Sequence, residues 1–243
     1  MITFYNIPSK LGLQAWSPNT IKTRVPLNYK GIPYKTEWVE YPDIEPVMKR
    51  IGGSPTGKKP DGSDFFTLPA IHDSMAGKVI TDSTAIAEYL DATYPDTPAL
   101  FPPGTKAAVA ALEHVFMKKI DTILFAMLFD VLGILNPPSE TYWREIRFGS
   151  TVEEFVPPGP KRDVIWKQFQ EEMDELAGFH DRNGEGKHFF FGDKFSYADA
   201  IVVGFLAWIK VVSGAESDAW KAVMTWNNGR WGKLVESTKT LHT

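Results

Sequence analysis

Three short segments hold the residue types that could do chemistry. Ser17 stands directly before Pro18 at what reads as a helix start, after the loop that follows the first strand. A hydroxyl there, with the free amides of the first helical turn, can hydrogen-bond a ligand thiolate and draw a thiol of pKa about 8.5 towards neutrality. The same serine also suits a plain N-cap, worth about 1 kcal/mol of helix stability. In Thr67-Leu68-Pro69-Ala70-Ile71, proline cannot complete a strand ladder and is confined to edges, first positions or bulges. A cis Leu68–Pro69 bond would turn the preceding amide and carbonyl outward, ready to pair with an extended peptide. A trans bond would make Pro69 the opening of an edge strand. Asp82-Ser83 then opens a helix whose first amides carry partial positive charge and suit a carboxylate. Ser83 adds a hydroxyl donor and Asp82 a negative charge for an ammonium, and both are equally ordinary capping residues.

Competing chemistries find little support. The histidines at 72, 114, 180, 188 and 242 have no HxxxH spacing and no paired acid, so no metal is expected. With no cysteine, disulfides, thiolate metal sites and a cysteine nucleophile are excluded. Gly184-Glu185-Gly186-Lys187 is not a phosphate loop, and GxGxxG and GxSxG are absent. A net charge of −4, from 26 basic and 30 acidic side chains with no basic run, argues against a nucleic-acid partner. The longest apolar stretch, 123–135, is interrupted by Asp130 and too short for a bilayer. The opening MITFYNIPSK lacks signal-peptide features, so no membrane partner and a cytoplasmic protein are expected.

The elements that must position these residues fall into two textures. In the first part, strands are expected at 2–6, 35–39, 67–72 and 78–80, the last two as a hairpin, and helices at 18–30, 44–50 and 82–94. A helical crossover requires the first two strands to be parallel, so the sheet is mixed. Pro95-Asp96-Thr97-Pro98 and Phe101-Pro102-Pro103-Gly104 form a linker. This divides the chain into a domain at 1–94, a linker at 95–104 and an all-helical domain at 105–243. Val109, Leu112, Phe116, Ile120, Ile123, Met127 and Val131 mark one face of a single long helix. Residues 198–212 are apolar on every side and read as the central helix of a bundle, opened by a Ser196–Asp199 capping box. Asp199 should therefore serve folding rather than chemistry. Residues 136–160 resist a reading, and GGSPTGKKPDGSD at 52–64 reads as a mobile flap beside the site.

In this order the features are specific. The whole chain resembles the soluble glutathione transferases: Leu68-Pro69 and Asp82-Ser83 in a thioredoxin-like α/β domain, a proline-rich linker, and a helical domain with the Ser196–Asp199 box. The segment SPNTIKTR from Ser17 is similar to the serine-type branch, closest to the fungal-specific class related to bacterial glutathione-dependent β-etherases. The resemblance implies a homodimeric transferase. Glutathione would be its co-substrate, with Leu68 pairing to the cysteinyl backbone across a cis Pro69. Ser83 would hold the γ-glutamyl carboxylate, Asp82 would lie near the ammonium, and Lys49 or Arg50 would neutralise the glycyl end. Ser17 would bond the sulfur, with Tyr5 in the first strand as the alternative. A hydrophobic or aromatic electrophile, or a peroxide, would lodge between the loop at Trp16 and the helix carrying Phe116 and Phe125. A β-etherase, or a non-catalytic carrier of aromatic compounds, stands as an alternative on the same fold.

Overall fold

The computed structural model describes residues 1–147 and 159–242. Strand β1, Ile2–Asn6, is buried along its whole length, as its place between β2 and β5 in the sheet requires. Helix α1, Pro18–Tyr29, crosses over to β2, Tyr34–Trp38, which pairs parallel with β1 in the register Ile2 to Tyr34. Helix α2, Ile44–Ile51, follows, and then a two-stranded hairpin of β3, Gly57–Lys58, and β4, Asp64–Phe65. Strands β5, Ala70–Asp73, and β6, Lys78–Thr81, complete a mixed four-stranded sheet in the order β2-β1-β5-β6. Helix α3, Ser83–Thr93, packs beside α1. This is the thioredoxin-like arrangement expected from the sequence.

Two local expectations are corrected. The strand expected from residue 67 begins at Ala70, because Pro69 has no amide to enter the ladder; the Leu68–Pro69 bond before it is cis. The segment 52–64 is not wholly irregular, since its end joins the β3–β4 hairpin, closed by a Lys58–Asp64 ion pair of 2.7 Å.

The second part is helical. The expected single long helix is two: α4, Lys106–Ala126, and α5, Leu128–Ile134. Met127, with φ −93° and ψ 0°, turns the chain between them while its side chain stays buried, so the apolar period runs on across the break. Helix α6, Pro137–Tyr142, and a π-helical turn at Trp143–Arg147 occupy part of the stretch that resisted reading. The remainder of that stretch, 148–158, lies outside the described residues. Helices α7, Pro160–Asp181, α8, Tyr197–Ser213, and α9, Asp218–Ser237, complete the bundle.

Helix α8 is the central one. The Ser196–Asp199 capping box is present, and Asp199 also accepts from the Phe190 amide at 2.9 Å. Burial raises the Asp199 carboxyl to about 6, partly offset by the Ser196 and Phe190 hydrogen bonds. Helix α1 crosses α8 at Gly204. A Cβ there would lie 2.6 Å from Lys22 Cγ and 2.9 Å from the Pro18 carbonyl oxygen. The two parts of the chain therefore share one closely packed seam.

Candidate active site

Strand register gathers the chemistry at one end of the sheet. Tyr5 lies opposite Glu37 on β2 and Ala70 on β5, and Ala70 lies opposite Thr81 on β6. The chain leaving β1, the chain leaving β2, the cis Leu68–Pro69 bond and the Asp82–Ser83 turn thus all emerge at the same edge. Ligands of α/β sheets bind beyond the carboxyl ends of parallel strands, which is this edge for β1 and β2.

A cavity of about 1000 Å³ opens there. Trp16, Ser17 and Asn19 form its floor at the start of α1, and Asp121, Leu124, Phe125 and Leu128 form a stripe along α4 and α5. Tyr41, Tyr142 and Trp143 form a third wall, and Lys58, Lys59, Phe65 and Phe66 of the hairpin segment a fourth. A smaller recess of about 90 Å³ adjoins it, lined by Ser17, Asn19, Tyr41, Thr67 and Leu68 among others. Ser17, Asn19 and Tyr41 line both.

Ser17 is the N-cap of α1 but does not cap it with its side chain. The residue as a whole is 6% exposed, and its hydroxyl is left without the usual helix amide as its partner. Trp16 beside it is anchored by an Nε1–H bond to the Pro8 carbonyl at 3.3 Å. Asp82, by contrast, does cap: its Oδ1 accepts from the Thr84 and Ala85 amides at 2.9 and 3.0 Å. The Asp82 backbone sits at φ 78° and ψ 132°, outside the left-handed helical region, an uncommon conformation for a residue with a side chain that turns the chain from β6 into α3. Ser83 follows, buried, as the first residue of α3.

Several expected site residues lie elsewhere. Phe116 is 1% exposed and packs edge-on against Phe205 at 5.5 Å, so it belongs to the bundle core rather than the cavity wall. Phe125, two and a half turns on, does reach the wall. Tyr5 is buried in the sheet and lines neither space; burial, then the Glu37 carboxylate, push its phenol above the ordinary value. Lys49 and Arg50 also lie outside both. Lys49 pairs with Glu45 at 2.7 Å and Arg50 approaches Glu37 at 3.8 Å, both well exposed. Lys58 and Lys59 are the cations in the wall, with Lys59 on Glu45 at 2.8 Å. Hydrogen bonds from Lys49 and Lys59 hold the Glu45 carboxyl down at about 2.

Two polar clusters brace the site, and neither was evident from local sequence. Glu40, just after β2, accepts from Asn136 Nδ2 at 2.8 Å and from the Ser139 hydroxyl, which itself accepts from the Tyr41 amide at 3.0 Å. Ser139 is fully buried. This contact fixes Tyr41, whose ring stacks on Tyr142 at 6.0 Å and meets Trp143 edge-on at 5.2 Å. On the other side, the buried Lys22 of α1 pairs with Glu113 of α4 at 3.2 Å. Glu113 also accepts from the Thr84 hydroxyl at 2.7 Å, and Thr84 meets the Tyr197 hydroxyl at 3.2 Å. Burial, then Glu113, raise the Tyr197 phenol far above its ordinary value, so it stays a donor. The starts of α1 and α3 are thereby tied together through α4 and α8. Asn19 was legible only as a neighbour of Ser17, and Tyr142 and Trp143 sat in the stretch without a clear period.

Comparison with known proteins agrees with this geometry. Residues 16–93 match the family profile described as glutathione S-transferase, N-terminal domain, and residues 107–241 match glutathione S-transferase, C-terminal domain. A glutathione S-transferase-like protein of Aspergillus flavus is 32% identical over 235 residues, covering 91% of this chain and 83% of that one. A glutathione S-transferase of Ceriporiopsis subvermispora, crystallised in complex with glutathione, is 44% identical, with a TM-score of 0.94 over 100% of this chain and 98% of that one. Glutathione transferase GSTFuA3 of Phanerochaete chrysosporium is 38% identical, with a TM-score of 0.92 over 100% and 97%. With both halves matched in order, and with relatives of this identity along nearly its whole length, the chain belongs to the glutathione S-transferase family.

Proposed function

We propose that this transferase is of the serine type, binding glutathione along the sheet edge and activating its sulfur with Ser17. The observation that carries the reading is Ser17, a largely buried residue at the helix start whose hydroxyl is not used as a cap and which lines both the small recess and the large cavity. The extended tripeptide would pair through its cysteinyl backbone with Leu68, beside the cis Pro69. Ser83 and the first α3 amides would receive the γ-glutamyl carboxylate. Asp82 spends Oδ1 on its cap and has Oδ2 left for the ammonium. We assign the glycyl carboxylate to Lys58 or Lys59, since these stand in the cavity wall and Lys49 and Arg50 do not.

In the reaction, the thiol proton leaves to solvent and the thiolate is held by the Ser17 O–H and the partial positive charge of the α1 terminus. The sulfur then attacks a hydrophobic or aromatic electrophile, or a peroxide, seated among Trp16, Tyr142, Trp143 and Phe125. By likeness to the family we also propose a cytoplasmic homodimer. A carrier role for aromatic compounds is a second reading, favoured by a cavity at the upper end of the range for small-molecule sites.

The test is a titration of thiolate absorbance for glutathione bound to the parent and to Ser17→Ala. We expect the substitution to raise the bound thiol pKa by about one unit, equivalent to ~1.4 kcal/mol. An unchanged value would overturn the role of Ser17. Binding of aromatic dyes without turnover of any electrophile would favour the carrier.

A further inference from the structure

Glu40, just after β2, directs both its carboxylate oxygens at the helical part of the chain. Oε1 accepts from Asn136 Nδ2 at 2.8 Å, and Oε2 accepts from the Ser139 hydroxyl. Asn136 is the N-cap of α6, yet its side chain does not cap that helix and reaches across to Glu40 instead. Ser139 is fully buried and passes the contact on, accepting from the Tyr41 amide at 3.0 Å. One turn further along α6, on the same face, Tyr142 lies 6.0 Å from the Tyr41 ring with the two planes 12° apart. Tyr41 is thus joined to α6 twice, by its backbone at Ser139 and by its ring at Tyr142. The turn ahead of α6 is held as well, since the Lys10 amide of the β1–α1 loop donates to the Ile134 carbonyl at 2.8 Å.

On the reading that the electrophile seats in the large cavity, we propose that Glu40, Asn136 and Ser139 are positioning residues that hold Tyr41, Tyr142 and Trp143 as one preformed wall, favouring acceptors broad enough to lie against it. None of the three lines the cavity or the recess, so they act only through the rings they hold. A wall that is already ordered costs an incoming ligand less than side chains that must be immobilised as it binds. That benefit reaches only the part of an acceptor that touches the wall. In a space of about 1000 Å³ a single ring can meet the sulfur without covering these side chains, whereas a fused pair of rings extends further towards them. The clasp makes no bond to Ser17, so its effect belongs on binding of the acceptor and not on the chemical step.

The experiment compares the parent, Asn136→Ala, Glu40→Ala and Glu40→Gln with benzyl chloride and with 1-(chloromethyl)naphthalene. In both, the glutathione sulfur forms a C–S bond as chloride leaves, so the acceptors differ in breadth and not in the bonds exchanged. We expect Asn136→Ala and Glu40→Ala to raise KM for the naphthyl acceptor about fivefold more than for the benzyl one, with kcat for each held within about twofold. Glu40→Gln should recover most of the naphthyl KM, because its amide oxygen accepts the Ser139 hydroxyl and its NH2 meets a turned-over Asn136 carboxamide. Asn136→Ala removes one bond of the clasp and no helix cap, so it carries the test should Glu40→Ala fail to fold. An equal rise in KM for both acceptors would overturn the inference, as would lowered thermal stability with an unchanged KM ratio. So would a Glu40→Gln variant as impaired as Glu40→Ala. Failure of the underlying reading looks different: Phe125→Ala, in the wall formed by α4, would leave KM for both acceptors unmoved, and the seat and the clasp's role would fall together.

Discussion

Asp73 shows how a single buried side chain couples this fold to pH. It ends β5, is 1% exposed, and accepts from the Tyr89 and Tyr94 hydroxyls at 2.9 and 2.7 Å and from the Met75 amide at 3.0 Å. Burial alone would raise the carboxyl, but the two phenols and the turn amides outweigh it and hold the group below its ordinary value. Burial and the same carboxylate push the Tyr94 phenol up to about 12. A folded-state pKa below the unfolded one stabilises the protein above about pH 4 and ceases to do so as pH falls through the folded value. Tyr94→Phe should therefore cost about 1–2 kcal/mol in urea denaturation at pH 7. Its difference from the parent should shrink below about pH 4. A difference that is constant with pH would mean that Tyr94 acts by packing alone. Among the candidate site residues, Ser17, Leu68, Pro69, Asp82 and Ser83 could be nominated from sequence because each belongs to a short motif with local geometry. Lys49, Arg50 and Phe116 line neither space, which sequence spacing does not reveal, because it says which residues are near in the chain but not which way a helix is rolled.

At the level of elements, the crossing of α1 over α8 sets the position of Ser17. Gly204 permits it, since any side chain there would press on Lys22 Cγ and on the Pro18 carbonyl. The carbonyl is backbone and sits one residue beyond Ser17, so it cannot move aside without shifting the helix start. Gly204→Ala should cost about 1–3 kcal/mol by overpacking. It should also raise KM for glutathione several-fold, measurable by steady-state kinetics alongside thermal denaturation. Unaltered stability and KM together would show that the helices are less tightly apposed than the geometry implies. The elements themselves were mostly legible, including the parallel β1–β2 pair and the capping box. The break at Met127 was not, because the apolar period continues through it and only the backbone angles change direction.

Across the whole molecule, the seam between the sheet-bearing and helical parts is both apolar and ionic. Lys22 and Glu113 meet there with only 4% and 19% of their side chains exposed. Removing one partner of such a pair strands a buried charge. Glu113→Ala should thus lower stability by about 3–5 kcal/mol. Lys22→Met with Glu113→Leu should recover much of that loss, because neither charge is then left alone. A double variant no more stable than Glu113→Ala would show that the pair supplies something beyond mutual neutralisation. Because Glu113 also holds Thr84, next to Ser83, glutathione affinity should fall in both variants.

Amino-acid order by itself determined what is local: the four strands of the main sheet and the helices of the first half, the capped starts of α3 and α8, and the residue types fit to hold a peptide with a thiol. These follow from backbone preferences and from hydrogen bonds made within a few residues. Tertiary structure decided which side chains share a space. It brought Tyr41 to Tyr142 and Trp143 through the Glu40–Ser139 contact, placed Lys58 and Lys59 in the wall in preference to Lys49 and Arg50, and sent Phe116 into the core. Those outcomes depend on helix rotation and on contacts between segments a hundred residues apart, which no short window of sequence encodes.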